Sequence, residues 1–180
     1  MTAATGIMTL ETRTSEALFT KDGGVVLMIA LACDHGGFDL MCGVKSHLDS
    51  KGLQYKDFGT YSAESCDYPE FGVRAARSVA SGECGIGILI CGTGIGMSIA
   101  ANKIPGIRAA VCFDTFTAEM ARLHNNSNVL ALGARTTDPD MALEIIDIFL
   151  NTGFEGGGRH SRRVQMLNDL DISRAAADKM

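Results

Sequence analysis

The sequence lacks several features that would place it in familiar classes of protein. It has no tryptophan, only three prolines and 6% aromatic residues among its 180 residues. No stretch approaches the ~20 consecutive apolar residues that a membrane-spanning helix requires. Residues 1–24 mix Thr, Glu, Lys and Gly without the apolar core of a secretory signal. We therefore expect a cytoplasmic protein with no membrane partner.

Basic residues are not in excess either. The chain has 16 Lys and Arg against 21 Asp and Glu, a formal net charge of -5. This balance argues against a nucleic-acid partner, because a basic surface is the usual electrostatic mark of one. An anionic ligand must therefore be held by a few locally placed cations.

The six cysteines form no CxxC pair and show no regular spacing. A zinc site or a disulfide framework is therefore not indicated, and reduced thiols fit a cytoplasmic protein better. We predict no bound metal. The cysteines are Cys33, Cys42, Cys66, Cys84, Cys91 and Cys112.

Hydrophobic residues make up 46% of the chain, which is enough for the core of one domain. Short apolar runs alternate with segments of helical period, as in buried parallel strands joined by crossover helices. The predicted strands span residues 25–33, 53–58, 85–91, 108–112 and 128–133. The predicted helices span residues 38–52, 94–102, 115–124 and 139–150, with one more from Pro69 and an amphipathic one over 161–173.

This alternation predicts an α/β fold, a three-layer doubly wound sandwich with a five-stranded parallel sheet and a C-terminal helix. The expected strand order is 2-1-3-4-5, the Rossmann-like or flavodoxin-like arrangement. We expect residues 1–24 to be a flexible extension and residues 25–180 to be a single domain. Ligands of such sheets bind outside the carboxyl ends of the strands. Four chemically active residues fall there: Asp34, His35, Cys91 and Arg135.

The segment ILICGTGIGMSIAANK runs from an apolar strand into a glycine-rich turn. It lacks the last glycine of the dinucleotide-binding fingerprint, because Met97 stands there, and the chain has no GxxxxGK[ST] loop. Gly92, Gly94 and Gly96 would instead free backbone N–H groups at a helix N-terminus, where an anionic oxygen can bind. The same helix end favours a thiolate at Cys91, which could then act as a base. Filling core volume is the competing interpretation of this cysteine.

Five blocks of the sequence resemble ribose-5-phosphate isomerase type B, a family that includes allose-6-phosphate isomerase and the galactose-6-phosphate isomerase subunits. The blocks occur in the family's order, so residues 25–180 are expected to be one sugar-phosphate isomerase domain. Because Met28 directly precedes IALACDHGG, one hypothesis is that natural translation starts there. The blocks are ACDHGGF (32–38), DYPEF (67–71), CGTGIGMSIAANKIPGIRAAVC (91–112), HNNSNVLALGAR (124–135) and GGRHSRRV (157–164).

The resemblance implies a reaction, the interconversion of an aldose and a ketose phosphate through a cis-enediol(ate), without metal or cofactor. One branch of the family uses the cysteine before the glycine turn as its base, and another has a glutamate where Met97 stands here. The chain resembles the cysteine branch, in which Cys91 would move the proton between C2 and C1. Thr93 would supply a nearby hydroxyl. The remaining turn residues, whose N–H groups would stabilise the enediolate, are Gly92, Gly94, Ile95 and Gly96.

The resemblance also implies a ring-opening group. His124 is similar to the family's ring-opening histidine, and imidazole suits both proton transfers of that step. Asp34 would assist or hold sugar hydroxyls, Asn125 would donate to sugar oxygens, and Tyr68 is similar to a substrate-contacting tyrosine. Plainer alternatives stay open: a favourable charge at a helix C-terminus for His124, a cap or turn role for Asp34, and a half-buried core position for Tyr68.

Four cations resemble the family's phosphate site: His35, Arg135, Arg159 and Arg163. Arg159 and Arg163 are four residues apart, which places both on one face if the segment is helical. Charge alone favours a different interpretation, a solvated basic face that also includes Arg162. The sequence departs from the usual family pattern by an extra glycine before Arg159 and by HNN in place of HND.

The family forms its site between two subunits, with the histidine and some arginines supplied by the partner. We therefore expect a homodimer, with a dimer of dimers as a further alternative, that acts on a phosphorylated sugar. The leading reaction is D-ribose 5-phosphate to D-ribulose 5-phosphate. The alternatives are a 6-phosphorylated aldohexose such as allose or galactose 6-phosphate, and a non-catalytic flavodoxin-like module that binds a phosphorylated ligand.

Overall fold

The computed structural model describes residues 28–177, with side chains described up to residue 171. The predicted extension, residues 1–24, and the start of the first predicted strand lie outside the described residues. In the described part, no helix is long and apolar enough to cross a membrane.

The described residues form one parallel five-stranded sheet, which confirms the predicted fold class. The short, half-exposed second strand lies at one edge, as expected from its polar sequence. The strands are β1 (Ile29–Cys33), β2 (Tyr55–Asp57), β3 (Ile86–Cys91), β4 (Ala109–Val111) and β5 (Val129–Gly133).

The strand order is β2-β1-β3-β5-β4, whereas the sequence led us to expect 2-1-3-4-5. β5 lies beside β3, with Cys91 paired to Gly133, and β4 forms the second edge. The burial of the two strands gives the physical reason. All five residues of β5 are buried, whereas the three residues of β4 are only half-buried. An entirely apolar strand gains more from an interior position, flanked by strands and covered on both faces.

Helices cover both faces of the sheet. α1, α4 and α5 pack on one face against a core of large aliphatic side chains and Phe149. α2 and α3 pack on the other face, where small residues such as Ala75 and Ala76 let the helices approach closely. The helices are α1 (Phe38–Ser50), α2 (Tyr68–Ala80), α3 (Ile95–Ala101), α4 (Thr115–Asn125), α5 (Pro139–Asn151) and α6 (Gly158–Ala177).

Local sequence signals account for most helix boundaries. α4 begins with a capping box, in which the Thr117 N–H donates to Asp114 Oδ1 at 2.7 Å. α1 ends before Gly52, whose φ of 67° is the left-handed conformation that terminates helices. The four apolar residues predicted on the inner face of α1 are all buried: Leu40, Met41, Val44 and Leu48.

α6 packs on α4. It begins at Gly158, before the predicted start, and its Val164 is buried. Its Leu167 and Leu170 are 44% and 66% exposed in the single chain. The helix therefore has an apolar side that this chain leaves uncovered.

Candidate active site

The loops after β1, β3 and β5 meet at the carboxyl edge of the sheet. The Ala134 N–H donates to the Cys91 carbonyl at 2.9 Å, and the Arg135 N–H donates to the Gly92 carbonyl at 3.0 Å. Gly36 lies so close to this turn that a Cβ there would stand 3.2 Å from the Gly92 nitrogen. The three loops therefore form one continuous surface around the end of β3.

Cys91 is the last residue of β3 and is 5% exposed. Its Sγ accepts a hydrogen bond from the Gly94 N–H at 3.1 Å. Gly94 has a φ of 77°, a conformation that glycine adopts without steric cost and that turns its N–H toward the sulfur. The sulfur is thus held against the amides of the turn, where an N–H stabilises negative charge.

The glycine turn also offers amides to a ligand. The first backbone bond of α3 runs from the Ser98 N–H to the Gly94 carbonyl at 3.0 Å. The amides of Ile95 and Gly96 precede it, in the helical turn that has no internal acceptors. Met97 points the other way: it is fully buried, and its sulfur lies against Gly72 of α2. Met97 is therefore part of the core.

Asp34 lies in the loop after β1 and is 6% exposed. Its Oδ1 accepts hydrogen bonds from the Gly36 N–H at 2.8 Å and the Gly37 N–H at 3.1 Å. This geometry matches the turn role that the sequence left open for Asp34. Because Gly36 touches Gly92, the same carboxyl group also lies beside the glycine turn.

His35 is oriented by a contact that sequence reasoning missed. Its Nδ1 accepts a hydrogen bond from the Cys66 N–H at 3.2 Å, with the Cys66 thiol 3.9 Å away. An Nδ1 that accepts leaves the ring proton on Nε2, so His35 can donate from that nitrogen. No motif marks Cys66, because the long loop that carries it follows the edge strand β2.

Tyr68 and Arg135 flank the glycine turn. A Cβ on Gly96 would stand 2.7 Å from Tyr68 Cζ, so the ring lies directly on that glycine. Tyr68 is 38% exposed in the single chain. The exposed Arg135 side chain passes over Gly92, about van der Waals distance away.

The structure thus brings together a set of side chains that we call the thiol group. Thr93 belongs to it, because its Cα lies against Gly133 at the end of β5. The thiol group consists of Asp34, His35, Tyr68, Cys91, Thr93 and Arg135 with the turn Gly92–Gly96.

His124 and Asn125 lie at the amino ends of the strands, opposite the thiol group. They end α4, which returns the chain from the carboxyl ends of the strands to their amino ends. Arg108, just before β4, donates from Nε to the Asn125 carbonyl at 3.2 Å and so fixes that end of the helix. The length of β5 alone separates the carboxyl and amino ends of the strands by about 13 Å, at ~3.3 Å per residue. Within one chain, His124 therefore does not reach Cys91.

A second imidazole and two arginines accompany His124. The His124 and His160 rings are stacked, with centroids 4.2 Å apart and planes 8° from parallel. Arg159 and Arg163 share one face of α6, as predicted for a helical segment. A cavity of about 470 Å³ lies between His124, the glycines before α6 and Arg159. We call His124, Asn125, Arg159, His160 and Arg163 the histidine group.

Other thiols of the chain differ from Cys91 in their surroundings. Burial, with Asp57 nearby, raises the pKa of Cys33 to about 12. Burial likewise raises the pKa of Cys112 to about 11. Both stay protonated near neutral pH and act as apolar core residues. Within the described residues, no group of three or more His, Cys, Asp and Glu could hold a metal ion.

A doubly wound sheet with a thiol held against a glycine turn is the arrangement that the sequence resemblance predicted for a sugar-phosphate isomerase. Comparisons with known proteins agree with this class. The sequence profile of the family described as Ribose/Galactose Isomerase matches residues 29–167. The chain therefore belongs to the Ribose/Galactose Isomerase family, among the type B ribose-5-phosphate isomerases, and is an isomerase.

Individual relatives cover nearly all of the described chain. Ribose-5-phosphate isomerase B of Escherichia coli is 46% identical over 146 residues, 81% of this chain and 97% of the relative. The solved structure of Clostridium thermocellum ribose-5-phosphate isomerase B has a TM-score of 0.80 and 48% identity, covering 82% of this chain and 99% of the other. D-erythrulose-4-phosphate isomerase of Pectobacterium atrosepticum is 45% identical over 134 residues, 74% of this chain and 88% of the relative.

Proposed function

We propose that this protein interconverts D-ribose 5-phosphate and D-ribulose 5-phosphate through an enediol(ate), with Cys91 as the general base. The observation that carries the proposal is the contact between Cys91 Sγ and the Gly94 N–H, 3.1 Å, at the carboxyl edge of the sheet. A thiolate held there can remove a proton beside a carbonyl, while neighbouring amides face the oxygen that becomes negative.

The proton transfers balance within the substrate. Cys91 takes the proton from C2 and returns it to C1, while a proton passes from O2 to O1, so that no oxidant or reductant is needed. The hydroxyl of Thr93, beside the turn, is available to relay between the two oxygens. The amides of Ile95 and Gly96 stabilise the enediolate, and a single donor of this kind is worth about 3 kcal/mol.

Ring opening and phosphate binding use the other side chains. His124 exchanges protons with the ring oxygen and the anomeric hydroxyl, and Asn125 donates to sugar oxygens. Asp34 holds a sugar hydroxyl next to the turn. The phosphate binds to four donors in an otherwise acidic protein, the Nε2–H of His35 and the guanidinium groups of Arg135, Arg159 and Arg163.

The thiol group lies at the carboxyl ends of the strands and the histidine group at their amino ends, so a complete site needs two copies of the chain. We propose a homodimer in which the histidine group of one copy meets the thiol group of the other. Exposed apolar side chains support this assembly, because several of them lie on α3, after β4, on α4 and on α6, and those of α4 and α6 line a cavity of about 530 Å³. They include Ile95, Ile99, Phe113, Phe116, Leu167 and Leu170.

We propose a cytoplasmic location because the cysteines form no disulfides. All six cysteines are free, including the exposed Cys42. Free thiols persist in a reducing compartment, which favours the cytoplasm.

The test is a substrate panel with the purified protein. We expect turnover of ribose 5-phosphate, and the panel includes hexose 6-phosphates and erythrose 4-phosphate to decide the size of the sugar. The variant Cys91→Ala is expected to lose about 10³-fold or more in kcat, because it removes the base. It should still bind a phosphorylated sugar acid, as calorimetry would measure.

Cys42→Ala is the matched control, since it removes an exposed thiol on α1 and should keep full activity. Undiminished turnover by Cys91→Ala would remove the proposed base. Binding of phosphosugars without any deuterium exchange at C1 or C2 in the unaltered protein would support the non-catalytic alternative.

A further inference from the structure

His160 lies beside the proposed ring-opening histidine, yet no role has been given to it above. Its ring packs face to face on His124 at 4.2 Å, and its Nε2 lies 3.2 Å from Arg159 Nε. It therefore touches both a proposed acid/base residue and a proposed phosphate ligand.

The hydrogen bond defines the state of the His160 ring. An arginine Nε only donates, so Nε2 of His160 is the acceptor and its ring proton is on Nδ1. The charged groups around the ring agree with a neutral imidazole. Partial desolvation, His124, Arg159 and Arg163 lower its pKa, and Glu155 opposes them.

The segment before α6 is rich in glycine and by itself restricts the position of the helix only weakly. Gly157 and Gly158 have φ values of 100° and 55°, and a run of glycines restricts the chain very little. The Glu155 N–H donates to the Leu123 carbonyl at 3.1 Å, but this bond precedes the glycines. Beyond them, the His160 ring provides a contact that fixes the first turn of α6 against the end of α4.

We propose that His160 is a positioning residue that holds His124 by ring stacking and Arg159 by its Nε2 acceptor, so that ring opening and phosphate binding share one support. The inference rests on the proposed function, because it assigns the work of His160 to those two residues. It explains how an arginine that follows three consecutive glycines can still have a fixed direction.

Two substitutions separate the two contacts. His160→Phe keeps a flat ring on His124 but removes the acceptor for Arg159. His160→Gln keeps an acceptor oxygen but removes the ring. The measurements are kcat with ribose 5-phosphate and the calorimetric Kd of inorganic phosphate, which needs no turnover. Arg162→Gln is the matched control, an exposed residue on the same turn of α6 to which the proposal assigns no role.

We expect opposite patterns from the two variants. His160→Phe should weaken phosphate binding about fivefold to tenfold, the usual loss for a hydrogen bond to a charged group, and keep kcat within about twofold. His160→Gln should keep the phosphate Kd within about twofold and lower kcat about tenfold, because the His124 ring loses its orientation. Arg162→Gln should change neither quantity.

Parallel losses of both quantities in both variants would overturn the proposal, since they would indicate mere structural support of the helix. Unchanged values in both variants would overturn it as well. If the unaltered protein turns over no phosphosugar, the proposed function fails instead, and the phosphate Kd of His160→Phe still decides whether His160 positions Arg159.

Discussion

At the scale of single residues, Gly94 links the backbone of the turn to the chemistry of the sulfur. Its φ is 77°, and a Cβ there would stand 2.9 Å from the carbonyl carbon of Leu132. The same residue donates the N–H that Cys91 Sγ accepts. A side chain at this position would therefore strain the backbone and displace the amide from the sulfur.

We predict that Gly94→Ala lowers the free energy of unfolding by about 2–4 kcal/mol, from left-handed strain and the close contact, and abolishes most activity. Gly52→Ala is the control, because Gly52 has a similar φ of 67° with nothing within 4 Å of its Cβ position. That control should cost about 1 kcal/mol and leave kcat unchanged. Urea unfolding measures the stability of both variants, and an activity assay measures their kcat. Equal effects of the two substitutions would contradict the special role of Gly94.

The thiols illustrate how residue type alone leaves function open. Cys33, Cys91 and Cys112 are all buried and all lie at or near strand ends. Desolvation raises the pKa of Cys33 and Cys112, whereas the sulfur of Cys91 faces a backbone N–H. The glycines that follow Cys91 are the feature of the sequence that distinguishes it from the other two.

At the scale of elements, a charged contact joins α1 to α5. Asp147 of α5 lies 2.9 Å from His47 Nε2 and 2.8 Å from Lys51 Nζ, both on or next to α1. Burial by itself would raise the pKa of Asp147, but the hydrogen bonds from Lys51 and His47 prevail and lower it. Folding therefore stabilises the ionised carboxylate.

We predict that Asp147→Asn destabilises the fold by about 0.5–1 kcal/mol near neutral pH, the usual range for a partly exposed ion pair. Because the folded pKa is depressed, this contribution is present above the unfolded value of 3.8 and is lost as pH falls through the folded value. Urea unfolding of both proteins at pH 6.5 and at low pH, about 2.5, measures the difference. Glu144→Gln on the same helix is the control, and a difference that persists at the lower pH would contradict the ion pair.

The sequence predicted the elements better than their arrangement. α1 and β3 were predictable because helical period, a terminating glycine and a wholly apolar run are local signals. The exchange of β4 and β5 was not, because it depends on which of two apolar strands is covered more completely in the finished sheet.

The sequence likewise predicted some residues of the candidate site and missed others. Cys91 and His35 were predictable from their positions after strands, since parallel strands bring those positions to one edge. The contacts of Cys66 and His160 were not, because they depend on the paths of loops after β2 and α5. Only GGRHSRRV, the block that contains His160, marked its neighbourhood in the sequence.

At the scale of the whole molecule, the proposed homodimer would join the thiol group of one chain to the histidine group of the other. A two-fold axis relates the copies of a homodimer, so each partner gives what it receives and two equivalent sites form. The uncovered apolar side of α6 and the exposed Phe116 then become part of the contact between copies. In the proposed homodimer, activity would be a property of the assembly, and two differently defective chains could complement each other.

We predict that Cys91→Ala and His124→Ala, each inactive alone, regain activity when the two chains are co-expressed. In a mixed dimer one site receives both altered residues and the other receives both intact ones, so random pairing restores about a quarter of the unaltered specific activity. Two differently tagged Cys91→Ala chains provide the control, which should stay inactive because every site lacks the thiol. If the mixed dimers, isolated through both tags, are inactive while the parent variants bind phosphosugar, the two residues must act within one chain, and the shared site is refuted.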